Sequence, residues 1–290
     1  MSESDINNTS FVGRVRVAHS KLVERIKMKF KVWSSVCIAC LIFVSLGAIA
    51  SNEDNDLKSL FVDNNIDGTM VLSNLNGDVN YIHNKSRAAK RYLPASTFKL
   101  PNTLIALQEA AISNEKEVIK WDGKDKGWEP WNSDQTLETA LPKSCVWFYQ
   151  VLAERVGNQR YLSQLKMLDY GNAKTGPELS TFWLDGELAI SAMEQVEFLK
   201  KLYLDFLPYR KENLELVKRL MIVEQSDAYT IRAKTGWAMR IANQHGWYVG
   251  YVETKSDIWF FALNMDIRSK SDAKYRKKIV MDVLKRKRII

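Results

Sequence analysis

Apolar positions change their spacing twice along this chain. Thr69 to Leu75 and Asp78 to His83 read as strands on either side of Asn76-Gly77, the dipeptide that two-residue hairpin turns favour. From about Leu100 to Val223 the spacing lengthens to that of helices: Val146 to Arg155 and Tyr161 to Leu168 are amphipathic. Ser191 and Glu194 form a capping box ahead of Val196, Phe198, Leu199 and Leu202. Strand patterns rich in β-branched and aromatic residues return at Tyr229 to Lys234, Gly246 to Glu253 and Asp257 to Met265. A last helix follows from about Ser271 to Lys287. Strands at both chain ends with helices between predict an α+β fold: one antiparallel sheet built from the two ends, flanking helices, and an inserted all-helical lobe at about 100–223. There is no internal repeat and no low-complexity segment.

The first 50 residues stand apart. Lys29 and Lys31 precede an apolar run from Val36 to Ala50, and Ala48-Ile49-Ala50 comes just before the polar, acidic Ser51-Asn52-Glu53-Asp54. That order predicts an export signal cut after Ala50. A start at Met28 gives a signal of ordinary length over 28–50, leaving 1–27 as an extension and 51–290 as the folded domain. The run is shorter than the ~20 residues a membrane anchor prefers, so no stable membrane partner is expected after cleavage. Cys40 is rejected as a lipid attachment site, because Cys37 holds the place usual for leucine.

With 46% apolar residues in 290, the chain can bury a substantial core. Without residues 1–50 the net charge falls from +8 to +4, and much of that excess lies in Lys285-Arg286-Lys287-Arg288. This run reads as a solvated helix end, and nothing else suggests nucleic-acid binding. Cys145 is the single cysteine beyond the signal, so no internal disulfide is expected; its apolar neighbours suggest an inert buried thiol. His83 and His245 are the only histidines there, neither in a metal-ligand spacing, and no metal is expected. A Ser-His-Asp triad would have to use one of these two.

A lysine base is the more economical chemistry. Serine stands three residues before lysine at Ser96/Lys99, Ser113/Lys116, Ser163/Lys166 and Ser271/Lys274. A serine with a lysine one helical turn later can supply a nucleophile and the base that activates it. Context favours Ser96: Pro94 precedes a helix start, and Phe98, Leu104, Leu107 and Ala111 form an apolar face that would carry Lys99 inward. The other three lysines fall in polar stretches. A lysine starts near pKa ~10.4, so burial must lower it by ~3 units for it to act as a base near neutrality. Phe98, Val146, Trp147, Trp183 and Leu184 are the apolar residues available for this.

Two further elements join it. Ser144-Cys145-Val146 places a second serine at a helix start, where a hydroxyl could relay a proton or simply cap the helix. Lys-Thr-Gly occurs twice: Lys174-Thr175-Gly176 reads as loop, and Lys234-Thr235-Gly236 ends the strand Tyr229 to Ala233, where glycine lets a ligand approach the backbone.

In this order, with Trp121-Asp122-Gly123, Tyr170-Gly171-Asn172, Phe182-Trp183-Leu184-Asp185-Gly186, Lys234-Thr235-Gly236-Trp237, Gly246-Trp247-Tyr248-Val249-Gly250 and Trp259 to Met265, these motifs make the chain resemble the class D serine β-lactamases, or oxacillinases, of the penicillin-recognising superfamily. The likeness runs from about Val71 to Leu284. It implies a β-lactamase/transpeptidase-like fold, hydrolysis of β-lactam antibiotics, and a periplasmic enzyme of a Gram-negative bacterium, monomeric or homodimeric. It further implies that Ser96 is acylated and that Lys99, carboxylated by CO2 or bicarbonate, is the general base, with no other cofactor. Trp183, Val146 and Leu184 would line the carbamate pocket, and Ser144 would pass the proton to the leaving nitrogen. The backbone N–H groups of Ser96 and Trp237 would form the oxyanion hole. Lys234, Thr235, Gly236, Trp237 and Arg276 would meet the substrate, although Lys274, Lys277 and Lys278 compete with Arg276 as the carboxylate's cation. Tyr170-Gly171-Asn172 would shape a loop near the site. Trp147 stands where smaller or cyclic residues are common in the family. A β-lactam sensor or penicillin-binding domain, acylated but slow to deacylate, is the alternative reading.

Overall fold

A computed structural model describes residues 53–290; the expected signal and its cleavage site lie outside the described residues. The chain opens with α1 (Asn55–Asp63), capped by Asp54 through a 3.0 Å hydrogen bond from the Leu57 N–H. The hairpin β1 (Gly68–Asn74) and β2 (Asn80–His83) follows as expected, with Gly77 at φ 74°, a conformation that favours glycine in this turn. A short helix α2 (Lys85–Ala89) leads to a 3-10 turn, Ala95–Phe98, that runs into α3 (Lys99–Gln108). The lobe continues with α4 (Leu137–Ala140), α5 (Val146–Val156), α6 (Asn158–Leu168), α7 (Ala192–Tyr203) and α8 (Lys211–Leu220). The Ser191/Glu194 capping box is present at the start of α7.

The chain then returns to the sheet with β3 (Ile222–Gln225), β4 (Tyr229–Ala238), β5 (His245–Thr254) and β6 (Ile258–Asp266), and closes with α9 (Tyr275–Arg286). All six strands pair antiparallel in the order β2-β1-β6-β5-β4-β3, so β1 from one end of the chain lies against β6 from the other. This is the α+β sheet the spacing predicted. Sequence periodicity missed α1, β3 and the 3-10 turn.

One side of the sheet is sealed by α1 and α9, where Leu57, Phe61, Ile279 and Val283 meet Met70, Phe261 and Leu263. Fully burying such side chains contributes about 1.5–3 kcal/mol each. In the lobe, α3 is buried on every side: Lys99 through Leu107 are all shielded from water. A helix enclosed in this way forces any polar group it carries to find a partner or lose its charge.

β4 is longer than its sequence pattern suggested. Alternation stops at Ala233, yet pairing with β5 continues from Lys234↔Val249 to Ala238↔His245. Lys234-Thr235-Gly236 therefore lies inside a strand. β3 pairs only as far as Arg232, so beyond Ala233 this edge of β4 has no strand partner among the described residues. The 3-10 turn carrying Ser96 lies against this stretch: a Cβ added at Gly236 would come within 2.9 Å of the Pro94 carbonyl oxygen and 3.2 Å of Thr97 Cγ2. Glycine at 236 is what permits the approach.

Candidate active site

The turn before α3 is held from several directions. Ala95 adopts φ 48°, a left-handed conformation that costs a non-glycine residue about 1–2 kcal/mol, and its N–H donates to the Trp183 carbonyl at 2.9 Å. Thr97 Oγ1 donates to the Pro94 carbonyl at 2.7 Å and accepts from Gln195 Nε2 at 2.9 Å. Behind them the Leu93 carbonyl accepts from His245 Nε2 at 2.9 Å and Trp247 Nε1 at 2.8 Å. A turn fixed this firmly presents Ser96, half-buried, in one orientation.

One helical turn on, Lys99 Nζ donates to Ser96 Oγ at 2.9 Å. Lys99 is wholly buried, with Nζ 5.2 Å from the centre of the Tyr149 ring. Phe98 points into an aromatic cluster of Tyr161, Tyr170, Phe182 and Trp183, with ring centres 5.2–6.2 Å away. Burial, reinforced by the nearby Lys234 charge, holds the Lys99 ammonium well below the ordinary lysine range and favours the neutral amine. Leu184 is buried, and Val146 is half-buried at the first turn of α5. Trp183 is fully buried and its Nε1 has no hydrogen-bond partner, an unusual state for an indole donor. The serine–lysine pairs at 113/116, 163/166 and 271/274 are all exposed.

The second arm of the site is a different kind of turn. Ser144 lies at φ 54°, its N–H bonded to the Leu141 carbonyl and the Cys145 N–H to the Ala140 carbonyl. These are the two bonds of a Schellman motif ending α4, and Ser144 occupies the left-handed position usually given to glycine. Cys145, not Ser144, is the N-cap of α5, and its side chain caps nothing. The Ser144 hydroxyl instead accepts a hydrogen bond from Lys234 Nζ on β4. Capping, the plainer sequence reading of Ser144, is thereby replaced. The Cys145 thiol is buried, and burial pushes its pKa up, as an inert thiol requires.

Lys234 is itself buried, and burial together with the Arg276 charge lowers its pKa to about 7. Arg276 reaches back from the first turn of α9, donating through one terminal nitrogen to the Gly236 carbonyl at 2.6 Å, and its guanidinium stands 5.7 Å over the Trp237 ring. Burial lowers its pKa to about 10, so it stays charged near neutrality. Of the cations in this stretch, Lys274, Lys277 and Lys278 are exposed. Thr235 is half-buried between Lys234 and Gly236. The other Lys-Thr-Gly, at 174–176, lies in a loop, with Lys174 exposed.

Sequence reasoning gave Asn172 to a loop near the site but missed the bonds it makes and the other supports. Asn172 bridges the loop after Gly171 to the stretch behind Trp183, donating to the Glu187 carbonyl at 2.7 Å and accepting from the Ala189 N–H at 3.0 Å. Arg240, between β4 and β5, pairs with Asp185 at 3.3 Å. Gln195 and His245 carry no pattern that marks them, because their partners are 98 and 152 residues away.

A serine joined to a buried lysine, and a second serine joined to a strand lysine beside a sheet edge with no strand partner among the described residues, form the arrangement expected of a penicillin-recognising serine enzyme. The penicillin binding protein transpeptidase domain model matches residues 58–285. Beta-lactamase OXA-48 of Klebsiella pneumoniae is 39% identical over 85% of this chain and 94% of its own. Beta-lactamase OXA-10 of Pseudomonas aeruginosa is 38% identical over 88% of this chain and 97% of its own. The crystal structure of FUS-1 (OXA-85), a class D β-lactamase from Fusobacterium nucleatum subsp. polymorphum, superposes with a TM-score of 0.80 at 38% identity, covering 82% of this chain and all of that one. The chain belongs to the class D β-lactamases.

Proposed function

We propose that this enzyme hydrolyses the amide bond of penicillin-type β-lactams through an acyl-enzyme on Ser96. The observation that carries the reading is the 2.9 Å contact between Ser96 Oγ and the wholly buried Lys99 Nζ. Ser96 Oγ attacks the β-lactam carbonyl while its proton passes to the base at Lys99, and the ring C–N bond breaks. Ser144 relays a proton to the departing nitrogen, and Lys234 restores it. The proton held at Lys99 then resupplies Lys234, and the freed base at Lys99 takes a proton from the water that attacks the ester carbonyl and returns it to Ser96 Oγ as the ester C–O bond breaks. The N–H groups of Ser96 and Trp237 hold the oxyanion, each such donor contributing about 3 kcal/mol. Lys234, Thr235 and Arg276 receive the substrate carboxylate beside Gly236 and Trp237.

The residues around Lys99 fit a carbamate. CO2 adds only to a neutral amine, which burial favours here, and the unpartnered Trp183 Nε1 supplies a donor that a carbamate oxygen would satisfy. Bound there, the carbamate would supply an anionic general base in place of the amine. Val146 and Leu184 would shield it from water.

Steady-state turnover of a chromogenic cephalosporin, with and without bicarbonate, tests the reading. Continuous hydrolysis stimulated by bicarbonate is expected; one equivalent of product followed by a halt would assign a β-lactam sensor or penicillin-binding domain instead. We also assign the enzyme to the periplasm after export: Edman sequencing of the secreted form should begin at Ser51. Among the described residues no helix is long and apolar enough to cross a membrane.

A further inference from the structure

We infer that Trp131 and Trp147 form an indole clasp that positions Ser144, an inference that rests on the proton-relay role proposed above. Trp131 closes a 3-10 turn, Glu129–Trp131, in the loop ahead of α4, and its Nε1 donates to the Lys143 carbonyl at 2.9 Å. Trp147, at the second position of α5, donates through Nε1 to the backbone carbonyl of Trp131, also at 2.9 Å. An indole has one donor and no acceptor, so each tryptophan commits its whole polar capacity to this link. The two bonds run from residue 147 to 131 and back to 143, enclosing the turn that contains Ser144.

The turn needs such support. Ser144 is held left-handed without being glycine, and its hydroxyl must stay within reach of Lys234 Nζ and of the nitrogen leaving the substrate. Trp131 fixes the carbonyl of the peptide that joins Lys143 to Ser144, the bond whose rotation would swing the Ser144 hydroxyl. Trp147 then anchors Trp131 to α5. The loop behind the clasp is braced by its own bonds: Lys126 N–H to Asn132 Oδ1 at 2.9 Å, and Asn132 Nδ2 to Asp125 Oδ1 at 2.8 Å. Both tryptophans are half-buried, and the Trp147 ring packs edge-on against Phe148. Trp147 is thus a positioning residue, acting on the reaction through Ser144.

The test compares Trp147→Phe, which keeps an aromatic ring and deletes the donor, with Ser144→Ala and the double variant. The readout is the single-turnover acylation rate with benzylpenicillin, followed by mass of the Ser96 adduct. Trp147→Phe should slow acylation about tenfold and leave deacylation unchanged. In the Ser144→Ala background the same change should have less than a threefold effect, since the group it positions is gone. Acylation within threefold of the unmodified enzyme, or a loss repeated in full without the Ser144 hydroxyl, overturns the inference. Should Trp147→Phe fold poorly by circular dichroism, 3-benzothienylalanine at 147 removes the donor at constant shape and is read the same way. An unmodified enzyme that forms no Ser96 adduct would reject the proposed function itself.

Discussion

Lys99 and Lys234 are both buried lysines, and each donates to a serine hydroxyl, yet the molecule surrounds them differently. Lys99 sits on a helix closed on every side, with Tyr149, Phe98 and Trp183 nearby. Lys234 sits on a strand whose outer edge beyond Ala233 has no strand partner among the described residues, with Arg276 as a second cation beside it. Burial depresses both, but Lys99 lies well below the lysine range and Lys234 comes to rest near 7. In the roles proposed above, Lys99 takes a proton and Lys234 changes charge when an anion arrives. Surroundings set the two lysines apart electrostatically, although the sequence writes the same residue in both places.

The comparison breaks most sharply at Ser96 and Lys99. Ser96→Ala or Lys99→Met should lower kcat/KM for a penicillin by at least about 10⁴-fold, and Ser96→Ala should abolish the covalent adduct seen by mass spectrometry. Trp183→Phe comes next: activity should drop about 10²-fold, as for the loss of one preorganised donor, and bicarbonate dependence should steepen. In bicarbonate-depleted buffer, thermal unfolding should show a Tm shift of only a few degrees, because removing an unpartnered buried donor offsets part of the lost packing. A large fall in Tm with unchanged kinetics would make Trp183 merely structural.

The pH prediction concerns Lys234. Its folded pKa, about 7, lies below the unfolded value of 10.5, so between these values the unfolded chain holds a proton that the folded chain has released. Stability therefore rises as pH climbs through that window, and below about pH 7 the folded state carries the full cost of a buried cation. Lys99 acts in the same direction. Replacing Lys234 with Met should flatten the rise in Tm between pH 7 and 10, and in the unmodified enzyme KM should increase over the same range as the cation is lost. The smallest effect is expected at Ser163→Ala and Lys166→Met. That exposed pair shares the spacing of Ser96 and Lys99, and its loss should leave kcat/KM unchanged and stability within about 0.5 kcal/mol.

Much of this was legible beforehand. The hairpin, the capped start of α7 and the return of strands after residue 229 followed from spacing, because these elements show one face to water and one to the core. α3 was harder, since a helix buried all round has no polar face to reveal its period. The spacing ends β4 too early because Lys234, Thr235 and Gly236 break the alternation of apolar and polar positions. Ser144 looked like a helix cap, and only the two backbone bonds of the preceding turn show it to be a left-handed terminus.

The sequence by itself determined which of four serine–lysine pairs lay on an apolar helix face, which residues could wall that lysine off, and that strands from both ends would share a sheet. Those are properties of neighbours along the chain and of its overall pattern. Only the tertiary structure decided that Lys234 turns to Ser144, that Arg276 rather than an adjacent lysine reaches Gly236, and that Trp147 bonds to Trp131 and Trp131 to the Lys143 carbonyl. Arg276 and Gly236 lie 40 residues apart and Lys234 and Ser144 lie 90 apart, and no local propensity encodes such a meeting. Packing the lobe against the sheet brings them together, and burial then sets their charge.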